Sequence, residues 1–311
     1  MPTWKRKVKE LGKRGLRLVF ETGQCFGVDL LPRHFYSEIP DIRELKKDQD
    51  WKRPYSMVGI GGSELDQQLD FVAQCCCDEL VARQRKGDIS DRACTRNGEA
   101  GFGPVEADFL FCFIASKRPR RIVQIGCGVS TAVILAAAEE AGYRPQITCI
   151  DPFPTQFLRE EDKNGVITLI SEKAEQVSLE TMTEIGADDF LFVDSSHTLR
   201  PGGHVSKIIL EVLPRLAAGC WVHFHDIWFP YDYPYKILNQ ALFFWHESVL
   251  LHAFLADNWK YEICASLCML HHSRPEKLGH WLPNYRPARH DHGVRLSEGH
   301  FPTSIYLRAV K

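Results

Sequence analysis

The stretch WVHFHDIWFPYDYP, Trp221 to Pro234, ends an apolar run with groups that can do chemistry. Trp221, Val222 and Phe224 suit a buried strand, and His223 and His225 are interleaved at strand spacing. Asp226 follows at once, and then come Trp228, Phe229, Tyr231 and Tyr233 among prolines. Upstream, DFLFVDSSH closes a second apolar run with Asp194 and His197. Imidazoles next to carboxylates have three uses. A histidine whose ordinary pKa is ~6.5 can take a proton as general base, steadied by an acid. Mixed nitrogen and oxygen ligands can hold a divalent cation, with manganese, iron or zinc favoured over magnesium. Such groups can also hydrogen-bond a loop and a ligand. Away from water they are costly unless paired, solvated or bound to a cation.

Elements must bring these residues together, and a regular pattern begins near residue 105. VEADFLFCFIASKRP reads as a helix that stops by Pro119, because a residue before proline is pushed from helical geometry. RIVQIG, QITCID, ITLIS, DFLFVD and CWVHFH read as five strands separated by helical segments such as STAVILAAAEEAGY and HVSKIILEVLPRL. DFLFVD is apolar throughout, as a doubly covered parallel strand is. YKILNQALFFWHESVLLHAFLADN reads as one long helical segment, and YEICASLCML and TSIYLRAVK as two last strands. The alternation predicts an α/β domain with a mostly parallel sheet. Ahead of it, SELDQQLDFVAQCCCDELVA reads as a helix, ISDRACTRNGEAGFGP as a loop with three glycines, and residues 30–56 as an extended arm.

Ligands of such sheets sit beyond the carboxyl ends of the strands. After the first strand, QIGCGVST offers Gly126 and Gly128 for a tight turn and a helix N-terminus for polar ligand atoms. After the second comes Asp151, 23 residues past Gly128, where a carboxylate can accept both hydroxyls of a ribose. After the third come Lys173, Ala174 and Glu175, placed to meet an adenine edge. The pairing points to a nucleoside ligand. A dinucleotide fingerprint wants a third glycine where Thr131 stands. That residue and the two closing strands argue against an NAD-type dehydrogenase.

Taken together, these residues resemble a class I S-adenosylmethionine-dependent methyltransferase over roughly residues 105–310. VQIGCGVST resembles the first motif of that family and Asp151 its ribose-binding acid; HFYSEIPD, FVDSSH, HFHDIWFPYDYP and HESVLLHAFLADN resemble one branch acting on small molecules. The resemblance implies a Rossmann-like, doubly wound, seven-stranded, mostly parallel α/β sheet with an antiparallel last strand. It would carry an N-terminal helical and extended arm over 1–104 and the S-adenosylmethionine-binding domain over 105–311. The arm would make cap, substrate or oligomer contacts, and a homo-oligomer fits this reading. The cofactor set it implies is Gln124, Gly126, Gly128, Ser130, Thr131, Asp151, Pro152, Phe153, Lys173, Ala174, Glu175, Asp194 and Ser195. Gln124 stands where the motif often opens with an acid, so a charge pairing with the cofactor amine is lost. The catalytic set is His225, His197, Asp194 and Asp226, which are also the ligands of a divalent metal if one is used. The acceptor would be a small molecule methylated on a hydroxyl or carboxylate oxygen, with a nitrogen acceptor or a non-catalytic pseudoenzyme as alternatives. Tyr36, Ser37, Trp228, Tyr231 and Tyr233 are expected to face it, together with the 280–300 tail. The aromatic run also suits plain loop packing.

Composition bounds the rest. The chain of 311 residues is 44% hydrophobic and 25% charged, ordinary for a soluble fold with ample core. A net charge of -2 makes no global case for nucleic acid. No apolar run reaches ~18 residues, which predicts no transmembrane helix and, with no signal-peptide pattern, a cytoplasmic protein. Residues 1–17 carry seven Lys/Arg and one acid, suiting either an interfacial helix or a solvated terminal one. The 11 cysteines include no CxxC pair and read as reduced, mostly buried thiols. His271, His272, His290, His292 and His300 look metal-rich in composition, but their spacing fits no compact site.

Overall fold

The computed structural model describes residues 3–78, 80, 81, 89–287 and 302–311. His290, His292 and His300 and most of the 280–300 tail lie outside them. The chain forms two compact units, Met1–Gln49 and Asp50–Lys311. The first holds α1 (Thr3–Cys25), which contains the basic segment, and α2 (Ile42–Lys47). Asp41, which closes the IPD stretch, caps α2 by accepting from the Arg43 amide at 2.8 Å and pairs with Arg33. Those two bonds hold its carboxyl below the usual range.

The second unit opens with α3 (Leu65–Cys75), α4 (Ile89–Asn97) and α5 (Pro104–Lys117). The α/β run follows as β1 (Arg121–Ile125), α6 (Val129–Glu140), β2 (Gln146–Ile150), α7 (Gln156–Lys163), β3 (Thr168–Ile170), α8 (Leu179–Thr183) and β4 (Phe190–Val193). Next come α9 (His204–Lys207), continued by a π turn, then β5 (Trp221–Phe224), α10 (Glu247–Leu255), β6 (Tyr261–Ser266), α11 (Leu267–Ser273), α12 (Pro275–Trp281) and β7 (Ile305–Ala309). The seven strands lie in the order β3-β2-β1-β4-β5-β7-β6. The first five are parallel, and β7 runs antiparallel to both β5 and β6. This is the doubly wound, Rossmann-like sheet expected, with its switch point between β1 and β4.

Alternation along the strands divides the core into two layers. Ile122, Phe190, Phe192 and Tyr306 face α3 to α6. Val123, Leu191, Val193, Val222, Phe224 and Leu307 face the layer of Ile208, Ile209, Val212 and Leu251. With both faces covered, the central strands carry apolar side chains at successive positions.

Three local expectations are corrected. The stretch after Ile89 is helical before it becomes a loop, since Ile89, Ala93 and Asn97 recur at helical spacing and are buried. The long segment after Tyr235 is broken: a π turn over Ile237–Ala241 ends at Leu242 in left-handed geometry, and α10 starts only at Glu247. The break brings the amides of His246 and Glu247 onto the carbonyl of His197, at 2.9 and 3.1 Å. Finally, YEICASLCML is strand only to Ser266, whose hydroxyl accepts from the Met269 amide and starts α11.

Candidate active site

At the carboxyl end of β1 the chain makes a close turn. Gly126 has φ 78°, and a Cβ there would lie 1.7 Å from the Asp194 carbonyl oxygen. Only glycine lets the loops after β1 and β4 approach this far. Gly128 lies against the Asn97 amide, where a Cβ would meet its atoms at 3.2 Å. Asn97 also accepts from the Thr155 hydroxyl at 2.9 Å, so it ties the glycine turn to the start of α7. Sequence reasoning missed Asn97 because its helix read as a loop; the buried spacing of α4 was the available signal.

Gln124, Ser130 and Thr131 form a buried set of their own. The Gln124 amide donates to Ser130 Oγ at 2.7 Å and accepts from Thr131 Oγ1 at 2.9 Å. Thr131 Oγ1 in turn accepts from the Gly128 amide at 3.1 Å. These polar groups are spent on fixing the start of α6. Gln124 thus serves the turn through both ends of its amide, a role that a carboxylate at this position could fill only in part.

Asp151 bridges the neighbouring loops. Its carboxylate accepts from the Cys127 amide at 3.0 Å and from the Phe153 amide at 2.8 Å. Pro152 and Phe153 are exposed beside it, and Phe153 is 83% accessible, an open aromatic face at the sheet edge. Lys173 is exposed and Ala174 is buried. Glu175 bonds His204 Nδ1 at 3.1 Å, and His204 Nε2 lies 3.0 Å from Ser196 Oγ. One histidine thus clasps the loops after β3 and β4. Although burial raises Glu175, backbone and His204 hydrogen bonds outweigh it and leave the carboxyl low.

The ends of β4 and β5 converge as expected. His197 is 6% exposed in its side chain, and its Nδ1 lies 2.7 Å from Glu247 Oε2 on α10. Its Nε2 faces Asp226 at 3.5 Å and Asp194 at 3.7 Å. Burial alone would lower its pKa, but Glu247, Asp226 and Asp194 outweigh that and hold it at about 9. His197 is therefore a histidinium at neutral pH. Ser195 Oγ donates to the other Glu247 oxygen at 3.3 Å. Glu247 was not a sequence candidate; it lies 50 residues from His197, in the segment read as continuous helix.

Asp226 adopts left-handed geometry, accepts from Thr303 Oγ1 at 3.0 Å and lies 3.8 Å from His225 Nε2. Asp194 and Asp226 keep 31% and 25% of their side chains exposed, so they are the acids that look outward. His225 packs against Phe102, with ring centroids 4.9 Å apart. Burial opposes its charge, yet Asp226, Asp194 and Glu106 raise its pKa. His223 is fully buried, stacked on Phe192 at 4.3 Å, and pushed well below the ordinary value by burial and by His225.

The aromatic loop is largely packed. Trp228, Phe229 and Tyr233 are buried, and the amides of Trp228 and Phe229 donate to Ser248 Oγ at 2.9 and 3.0 Å. Tyr233 OH accepts from the Ser248 amide at 3.2 Å. Tyr231 keeps partial exposure, with its ring 4.2 Å from that of His272. Tyr36 and Ser37 belong to the first unit, where Tyr36 is exposed.

Comparison with known proteins bears on this geometry. Residues 123–227, which span β1 to the residue after Asp226, match the family model of a methyltransferase domain. An uncharacterized protein of Archaeoglobus fulgidus is 26% identical over 165 residues, covering 50% of this chain and 72% of its own length. Among solved structures, the SAH-bound methyltransferase PaMTH1 of Podospora anserina aligns with a TM-score of 0.40 at 14% identity, over 91% of this chain and 99% of its own. The plantazolicin methyltransferase BamL, in complex with a triazolic desmethylPZN analog and SAH, gives a TM-score of 0.40 at 14% identity, over 79% and 98%. The Burkholderia thailandensis 1,6-didemethyltoxoflavin-N1-methyltransferase gives 0.35 at 11%, over 62% and 72%. The matched segment spans the loops that carry Gly126, Asp151, Asp194 and Asp226, so it is over these residues that the chain is similar to a methyltransferase domain.

Proposed function

We propose that the protein transfers a methyl group from S-adenosylmethionine to a hydroxyl oxygen of a small molecule. The observation that carries the reading is the division of the carboxyl edge. On one side of the switch point, Asp151 and the turn at Gly126 and Gly128 form a loop system suited to a nucleoside. On the other, two partly exposed carboxylates flank a histidinium. S-adenosylmethionine supplies an electrophilic sulfonium methyl. Asp151 would hold its ribose, the exposed Phe153 its adenine face, and the turn before α6 its amino-acid end.

The acceptor must lie in line with that methyl, ~3–3.5 Å from it, and must lose a proton. As the oxygen–methyl bond forms, the methyl–sulfur bond breaks and its electron pair stays on sulfur. In this reading the acceptor proton passes to Asp226. His197 is a fixed cation rather than a base, because both of its nitrogens already face carboxylates. The same feature weighs against a metal held by Asp194, His197, His225 and Asp226, since the positive charge between these acids is His197 itself. His225 lacks the arrangement of a general base: its Nδ1 is buried and has no hydrogen-bond partner among the described residues. The partly exposed carboxyls of Asp194 and Asp226 at this edge favour an acceptor that donates a proton over a carboxylate anion. Tyr231 remains the proposed acceptor contact.

The test is calorimetric titration with S-adenosylhomocysteine, followed by turnover on a panel of phenols, alcohols, carboxylic acids and amines. Asp226→Asn should keep cofactor binding and lose ~10²–10⁴ in kcat. Wild-type turnover in that variant would sink the proton-transfer assignment. Activity on amines alone would replace oxygen by nitrogen as the acceptor atom.

A further inference from the structure

His223 and His225 sit two residues apart on one strand edge, so both rings project from the same face of the sheet, toward α5. Their rings are nearly parallel, with centroids 6.4 Å apart. Glu106, in the first turn of α5, is buried opposite them. One donor atom from each of Glu106, His223 and His225 can be chosen so that all three lie within 4.8 Å of one another.

The hydrogen bonds decide which ring nitrogens remain. Ser304 Oγ donates to Glu106 Oε2, so its own proton is used. It therefore accepts from His223 Nε2, 2.9 Å away, and the neutral ring is left with a bare lone pair on Nδ1. On His225, Nε2 lies toward Asp226. In both rings Nδ1 is buried and has no hydrogen-bond partner among the described residues. Two buried nitrogens without partners, beside a buried carboxylate, are costly as they stand. The His223 ring is oriented from its far nitrogen by the Ser304 hydroxyl, as outer partners orient metal-binding histidines.

We infer that Glu106, His223 and His225 form a site for a divalent transition-metal ion, bound through one ring nitrogen of each histidine and the Glu106 carboxylate. Two imidazoles and one carboxylate select zinc, iron(II), cobalt or manganese over magnesium and calcium. The donors would close by roughly an ångström around an ion with metal–nitrogen distances of ~2.0–2.1 Å. Its His225 ligand would lie 3.8 Å from Asp226, so the ion would sit behind the strand-end acids. The site is distinct from the outer set of Asp194, His197 and Asp226 and does not depend on the methyl-transfer reading.

The experiment is titration of the chelator-stripped full chain with Co²⁺, read by visible d–d absorption. One equivalent should bind, and X-ray absorption at the cobalt edge of the wild-type protein should show imidazole and oxygen ligands. Glu106→Gln and His223→Gln should each weaken binding at least ~100-fold, since loss of an outer partner alone costs ~10–100-fold. Asp194→Asn should bind as wild type. The wild-type spectrum needs no variant to fold, and circular dichroism of the stripped variants separates unfolding from ligand loss. Failure of the wild type to bind cobalt, a thiolate-rich spectrum, or loss of binding in Asp194→Asn but not in Glu106→Gln would overturn the assignment.

Discussion

Replacing Glu247 by Gln isolates the charge on His197. The amide keeps an oxygen that can accept from Nδ1–H, but it removes the nearest negative charge, 2.7 Å away. In the folded protein His197 is held at about 9, against an ordinary 6.5. At about 1.4 kcal/mol for each tenfold change in proton affinity, that gap corresponds to roughly 3 kcal/mol favouring the protonated folded state. The sign follows from the direction of the shift. A raised histidine stabilises fully below its unfolded value of 6.5, and the contribution is lost as pH rises through about 9. A hydrogen bond to a charged group is worth ~1.5–3 kcal/mol, so Glu247→Gln should lose about 2 kcal/mol below pH 6.5. Above pH 9 the cost should shrink, because His197 is then neutral in both proteins. Urea unfolding across this range measures the difference directly, and the His197 ring-proton resonance reports its pKa. A wild-type stability that stays flat from 6.5 to 9, or a variant that declines with the wild-type slope, would refute the histidinium.

Gly126→Ala should cost about 4 kcal/mol or more in urea unfolding, because the new Cβ would overlap the Asp194 carbonyl at a φ of 78°. Wild-type stability there would mean that the two loops do not meet. Asn97→Ala removes the acceptor of the Thr155 hydroxyl, at 2.9 Å, and should cost about 1 kcal/mol. It should also weaken S-adenosylhomocysteine about fivefold in a titration; unchanged affinity would place Asn97 in the scaffold alone.

The sheet was legible because its signals are local. Apolar strands such as FLFV and IVQI and the intervening helices show their period within a few residues of chain. The places to inspect, after each strand, follow from that order. Asp151, Asp194, His197, His225 and Asp226 all lie at the carboxyl edge for this reason. Charge state and pairing were not legible. Glu247 lies 50 residues from the histidine it holds, and Glu106 meets Ser304 across 198 residues. Gln124, Ser130 and Thr131 read as ligand groups, but folding spends their hydrogen bonds on one another. The broken segment before α10 keeps a helical pattern, and only docking on His197 requires the break. Sequence by itself determined the strand order of chemistry-bearing residues, because side-chain direction along a strand is periodic. Tertiary structure alone decided which of these groups are charged and which face outward, because burial and distant partners set the energy of every proton they hold.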